Sequence, residues 1–199
     1  MNFFRRWVWN FLTRHFGDAQ GGVLIPCFTG PARGLRLHLR PLDGEISKVR
    51  AFYPNQLFDR VQGYCSKSRC VWNCGTEIGY VTALLGRWVP QGGSVIAFDP
   101  DPEAIKRTQI NALVNQMRHI HFIPHYPAEA SEFQDSGIAP DFVHARAESI
   151  SDRFLSGIIA LKSRPVLWLE NSLSRKAQLE AAGYRCVYEE RGHQIWERD

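Results

Sequence analysis

The chain of 199 residues has no apolar run approaching 18 residues, so a membrane-spanning helix is not expected. It has no CxxC pair, and its five cysteines, at 27, 65, 70, 74 and 186, are odd in number. That pattern supports neither a disulfide framework nor a cysteine-ligated zinc site, and a reducing cytoplasmic compartment is expected. The opening stretch MNFFRRWVWNFLTRHF is interrupted by arginines and lacks a small-residue cleavage site, so a secretory leader is not expected either. No Gly-Lys-Ser/Thr follows a glycine turn and no GxGxxG occurs, which removes the phosphate loop and the dinucleotide fingerprint. Internal repeats and low-complexity tracts are also missing.

What is present is a globular composition: 44% hydrophobic and 22% charged residues, with a net charge of +4. That length and apolar share build one core, with little left for a second. The charge permits an anionic partner without requiring one. The expected organisation is an extension over 1–60, helix and hairpin packed on the core, followed by one α/β domain over 61–199. In residues 2–16, Phe4, Val8, Phe11, Leu12 and Phe16 keep a helical spacing, with Arg5, Arg6 and Arg14 elsewhere. Two faces suit such a helix, its own domain or a membrane surface, the latter as a peripheral contact. GVLIPCF and GLRLHLR read as two strands joined by a turn, the second alternating Leu35, Leu37 and Leu39 with Arg36, His38 and Arg40. A helical approach over 44–65 is broken near Pro54.

From residue 69 strands and helices alternate: strands at 69–73, 94–98, 119–123, 141–145 and 165–170, and helices at 78–87, 102–116, 151–162 and 174–182. Two last strands, at 184–189 and 193–197, close the chain. Alternation of this kind predicts parallel pairing with right-handed crossovers, hence a doubly wound, mostly parallel seven-stranded sheet of Rossmann-like type. Ligands of such sheets sit at the carboxyl ends of the strands, where the strand order reverses. His119 and His121 alternate with Ile120 and Phe122, which reads as an exposed strand face, and no metal site is expected.

The first of these strands runs into VWNCGTEIGY, with Gly75 and Gly79 between strand and helix. The second ends in AFDPDPEA, which puts Asp99 at its carboxyl tip, 24 residues after Gly75. Asp101 and Pro102 have the chemistry of a helix N-cap and first helical residue. Asp99 lies too early for that job and can accept ribose hydroxyls, at roughly 1.5–3 kcal/mol per charge-assisted hydrogen bond. A glycine loop and a strand-tip acid without a phosphate signature point to a nucleoside cofactor lacking phosphates, S-adenosylmethionine.

On these residues the chain resembles the methyltransferase core of the FkbM family over about residues 60–190. The resemblance is carried by the Gly75/Gly79 loop with Ile78, by GGSVIAFDPDPE, by Asn111 and Asn115 four apart, by DFVHARAES and by PVLWLEN. It implies that Asn73, Cys74, Gly75, Thr76, Glu77 and Gly79 cradle the methionine moiety, that Asp99, with Pro100 and Asp101, serves the ribose, and that His125 or Tyr126 flanks the adenine. The chain departs from the family at Asn73, where Asp is usual, at Glu77, where Asn is usual, and at His144, Arg146 and Ser149, where Lys, Asp and Gly are usual. The missing carboxylate at Asn73 predicts that Asn73→Asp tightens cofactor binding, with Glu77 as a substitute charge.

Methyl transfer to a hydroxyl benefits from a positioned base. His144 or Glu148, at the end of the fourth strand, is the expected base or substrate anchor, and Arg146 the expected contact to an anionic or sugar-like acceptor. A structural His144 and a surface Arg146–Glu148 pair account for the same residues. The function expected is O-methylation of a small-molecule or glycosyl hydroxyl. A non-catalytic relative of the fold is the alternative, and an RNA methyltransferase the third reading. The Asn/Asp-Pro-Pro-Tyr/Phe signature of amino-directed nucleic-acid methylation is absent.

Overall fold

The computed structural model describes residues 3–19, 21–46, 49, 54–126 and 138–198. Helix α1 (Phe3–Phe16) leads into an antiparallel hairpin of β1 (Val23–Pro26) and β2 (Arg36–Leu39), then a 3-10 turn at Pro41–Asp43. The expected helical approach over 44–65 falls in part outside the described residues. Pro54 stands at the N-cap of α2 (Asn55–Cys65), where its missing N–H costs nothing.

The core alternates as the sequence predicts: β3 (Cys70–Cys74), α3 (Tyr80–Trp88), β4 (Ser94–Phe98), α4 (Pro102–Val114), β5 (Ile120–Ile123), β6 (Phe142–Arg146), α5 (Asp152–Ala160) and β7 (Val166–Glu170). A 3-10 turn at Ser172–Arg175 precedes α6 (Lys176–Ala181), so the expected helix over 174–182 is shorter. The hairpin β8 (Arg185–Glu190) and β9 (His193–Glu197) completes a seven-stranded sheet in the order β5-β4-β3-β6-β7-β9-β8. Six of the seven strands run in one direction, and β9 enters antiparallel between β7 and β8. Strand order therefore reverses between β3 and β6. No helix among the described residues is long and apolar enough to cross a membrane.

The strands are buried on both faces, and alternate residues go to opposite layers. Val71, Val95, Ala97, Phe142 and Trp168 pack towards α2 and α3, against Leu57, Phe58, Leu84 and Leu85. Trp72, Phe98, Val143, Ala145 and Leu169 pack towards Phe154, Leu155 and Ile158 of α5. Trp72 lies parallel to Phe154, ring centroids 6.3 Å apart, and donates its indole N–H to the carbonyl of Ile138. His38 departs from its expected exposed position. It is buried, with Nε2 3.0 Å from Asp18 and its ring packed so close to Gly22 that a Cβ there would clash with it.

Asn111 on α4 and Asn115 at its C-cap, one turn apart, explain how the hairpin is held. Asn111 Oδ1 accepts from the His38 amide (2.6 Å) while its Nδ2 donates to the carbonyl of Ile78 (2.8 Å). Asn115 binds both backbone groups of Arg36, accepting at 2.9 Å and donating at 2.6 Å. The two amides act as a further strand for β2, and Asn111 joins hairpin, α4 and the loop before α3. Arg107 and Glu45 add a buried ion pair at 2.6 Å between α4 and the extension. Replacing Asn111 by Ala orphans a buried N–H and a carbonyl, and should lower unfolding free energy by about 3 kcal/mol in urea titration. A loss under about 1 kcal/mol would mean that the hairpin is held by packing alone.

Candidate active site

The reversal between β3 and β6 places the carboxyl ends of these two strands side by side, the position where doubly wound sheets bind ligands. Parallel register sets Asn73 beside His144 and Arg146 beside Glu170, and the antiparallel β9 sets His193 beside Glu170. A cleft of about 300 Å³ opens there. Its floor and one wall are Gly75, Thr76, Glu77 and Ile78 of the loop with Tyr80 and Val81 of α3. His144, Arg146, Glu170 and Asn171 form the strand side, and Arg191, Gly192 and His193 of the last hairpin close it.

The two glycines of the loop do different work. A Cβ on Gly79 would lie 2.9 Å from the Cα of Thr108 and 3.1 Å from Asn111 Nδ2, so its bareness lets α3 and α4 approach. Gly75 has φ +98°, and a Cβ there would meet only the Tyr126 hydroxyl and Ser149 at ordinary contact distances. Its need is conformational, and it leaves an open approach to the backbone. Positive φ at Glu77 and Gly79 holds the loop for two further residues, which is why α3 begins at Tyr80 rather than at the expected residue 78.

Asp99 shapes this loop from behind. It is buried, and its Oδ2 accepts from the Thr76 amide (2.6 Å), the Thr76 hydroxyl (3.0 Å) and the Glu77 amide (3.3 Å). Its Oδ1 accepts from the Asp101 amide at 2.9 Å, which leaves that oxygen capacity for one more donor. Asp101 caps α4 by accepting from the Glu103 amide, with Pro102 at the first turn as the sequence predicts.

Inside the cleft wall the polar side chains form a line. Asn73 Nδ2 donates to Thr82 Oγ1 (2.6 Å), and Asn73 Oδ1 accepts from His144 Nδ1 (2.6 Å). His144 Nε2 faces Glu170 Oε1 at 3.1 Å. Each ring nitrogen of His144 is thus engaged by a side chain of the cleft wall. Glu170 also has Arg146 Nε at 3.7 Å and His193 Nδ1 at 3.9 Å, and Arg146 pairs with Glu77 across the cleft mouth. Burial alone would raise the pKa of Glu170. The hydrogen bond and charge of His144, with the charges of His193 and Arg146, outweigh burial and hold it below its ordinary value.

Of the residues singled out in the sequence, Gly75, Thr76, Glu77, His144 and Arg146 meet in the cleft. Asn73 lies beneath it, fully buried, with both amide atoms engaged. An Asn73→Asp charge would therefore meet His144 before any ligand's ammonium group. Cys74 turns its side chain into the α5 layer, where burial pushes its thiol pKa up. Asp99, Pro100, Asp101 and His125 lie off the cleft, and His125 is exposed. Glu148 sits in the 3-10 turn Ala147–Ser149, and its side chain lies outside the described residues. Tyr126 is half-buried, its hydroxyl beside Gly75 and its ring against Phe154 at 6.0 Å, and burial, then the nearby Cys74 and Asp99, raise its pKa.

Glu170, His193 and Thr82 were not singled out as site residues. Glu170 had a signal, the same strand-end position that marked His144. His193 becomes visible only through the antiparallel register of β9.

Glu170 yields a pH-dependent prediction. Its pKa is lower folded than unfolded, so its contribution is complete above the ordinary value of 4.5 and is lost as pH falls through the folded value. Glu170→Gln should cost about 3 kcal/mol at neutral pH, the loss typical of breaking one partner from a buried charged pair. In urea titrations the two proteins should converge as pH drops below that value. Parallel curves down to the acid transition would show that the pairing carries no stability.

No family model matches the chain, and no curated protein matches it. Solved structures do. One is a methyltransferase from Geobacter sulfurreducens, at 12% identity over 80% of this chain and 88% of that one, with TM-score 0.58. A second is precorrin-6y C5,15-methyltransferase from Geobacter metallireducens, at 16% identity over 73% and 90%, with TM-score 0.55. A third is a SAM dependent methyltransferase from Aquifex aeolicus, at 16% identity over 76% and 96%, with TM-score 0.55. Identities this low speak for the fold alone, and the fold of this chain is that of Rossmann-like methyltransferases.

Proposed function

We propose that this chain is an S-adenosylmethionine-dependent methyltransferase that modifies a hydroxyl on a small-molecule or glycosyl acceptor. One observation carries the reading: the cleft at the strand-order reversal is floored by a bare-backbone loop, clamped from behind by Asp99, and walled by the hydrogen-bonded strand-end residues His144 and Glu170. The resemblance of residues 60–190 to the FkbM family supports it, and the free cysteines support a reducing, cytoplasmic setting.

The donor set fits the cofactor. Asp99 Oδ1 has room for a ribose hydroxyl. The Glu77–Arg146 pair is about half exposed at the cleft mouth, and its two charges complement an amino acid's ammonium and carboxylate. Gly75 leaves an open approach beside Tyr126. When bound, S-adenosylmethionine supplies a methyl group already activated on sulfur.

The chain's own part is then positioning and proton handling. His144 uses both ring nitrogens within the protein, so in this arrangement it orients rather than abstracts. Glu170 lines the same cleft, and in this reading its carboxylate accepts an acceptor hydroxyl's hydrogen bond. His144 and Arg146 hold that carboxylate in place.

A second reading has its own observation. Asn73, His144 and Glu170 hydrogen-bond one another, and Asp99 Oδ2 is taken by its own loop, as suits a binding or scaffold protein that keeps the fold without catalysis. Titration calorimetry with S-adenosylmethionine and S-adenosylhomocysteine separates the two. The proposal expects micromolar-range binding by the full chain. Asp99→Ala and, independently of the loop clamp, Arg146→Ala should each weaken it about tenfold or more, equivalent to ~1.4 kcal/mol. A folded wild type that binds neither ligand would establish the second reading instead.

A further inference from the structure

We infer that the outward face of α1 is a docking surface for an anionic lipid bilayer. A surface helix ordinarily turns its apolar residues inward and its polar residues to water. On α1, Val8, Trp9 and Leu12 are half-buried where the helix packs on β1 and the 3-10 turn at Pro41–Asp43. The opposite arc is aromatic as well: Trp7 is 59% exposed and Phe11 47%, stacked on each other with centroids 6.1 Å apart. Phe16, at the helix end on the side of Trp9 and Leu12, is 69% exposed.

Arginines flank these rings: Arg6 and Arg14 are exposed one helical turn to either side of Asn10. The His15 ring lies 4.5 Å from that of Phe11. The helix holds no acidic residue. Leu24 and Leu42, on the two elements that α1 packs against, are exposed too. Six of the eight large hydrophobics exposed among the described residues fall between residues 7 and 42.

Charge selects the occupant. Residues 1–40 contain six arginines and one aspartate, a net +5, whereas the whole chain is +4, so residues 41–199 carry −1. The excess positive charge of the protein is thus confined to the segment that also presents its aromatic rings. Rings at the acyl boundary with arginines at the headgroups are the chemistry of an interfacial helix on anionic lipid. This inference does not depend on the proposed methyl transfer.

The test is co-sedimentation of the full chain with vesicles of phosphatidylcholine alone and of phosphatidylcholine mixed with phosphatidylserine. Binding should favour the phosphatidylserine vesicles and fall as salt rises. The double variant Trp7→Glu, Phe11→Glu should lower partitioning about tenfold or more. Both side chains are exposed, so thermal unfolding and cofactor calorimetry should be unchanged by that variant. The inference is overturned if the wild type stays in the supernatant with phosphatidylserine vesicles, or if the variant binds equally well. A dimer in sedimentation equilibrium, or an RNA band shift, that the variant abolishes without any lipid binding would also overturn it, by assigning the face to a second copy or to RNA.

Discussion

The candidate site depends on one register. In the parallel pair β3–β6, Asn73 stands beside His144 on the face that looks towards α3. A slip of one residue in β6 against β3 would turn His144 into the α5 layer beside Phe154 and Leu155, and would take the imidazole away from the Asn73 amide. The register is pinned at its amino end by Asp141, whose carboxylate accepts from the amides of Arg69 and Cys70. It is pinned in the middle by the Trp72 indole on Ile138 and the apolar layers on either side. The polar line from Thr82 to Glu170 can form only because the apolar alternation beneath it is strict.

The loop depends on a second constraint, a carboxylate satisfied by backbone. Buried acids are tolerated when their oxygens are hydrogen-bonded, and Asp99 takes two loop amides and a hydroxyl on one oxygen. Those bonds fold Thr76 and Glu77 around the acid and set Glu77 at φ 48°, which aims its side chain at Arg146 across the cleft. Fold and charge placement are therefore the same event here. The residue read from sequence as a ribose acceptor is also the residue that gives the loop its shape.

Much of the fold was legible because its signals are local. The strands at 94–98 and 193–197 have the bounds that their apolar runs predict, and Asp101-Pro102 starts α4 as capping chemistry requires. Strand-end position brought His144, Arg146, Glu77 and the glycines to notice. What could not be read was pairing between strands distant in sequence. Nothing near His193 indicates that an antiparallel strand will deliver it beside Glu170. Nothing near His38 indicates that Asn111 will cover its amide. Asn111 and Asn115 were visible as a spacing, but their use as a surrogate strand for β2 requires the hairpin to be in place.

The cleft's charges are arranged as an exchange rather than as a vacancy. Exposed pairs such as Glu77–Arg146 contribute little to stability, because solvent screens them and two long side chains must be ordered. Giving up that pair for a ligand bearing both an ammonium and a carboxylate returns each charge to an opposite partner, so its net cost is small. The Glu170–His144 contact is different. It is buried, and breaking it strands a charge away from water. A charged ligand entering this cleft would therefore meet one exposed ion pair at the mouth that yields at little cost and one buried, hydrogen-bonded carboxylate at the wall that holds its place.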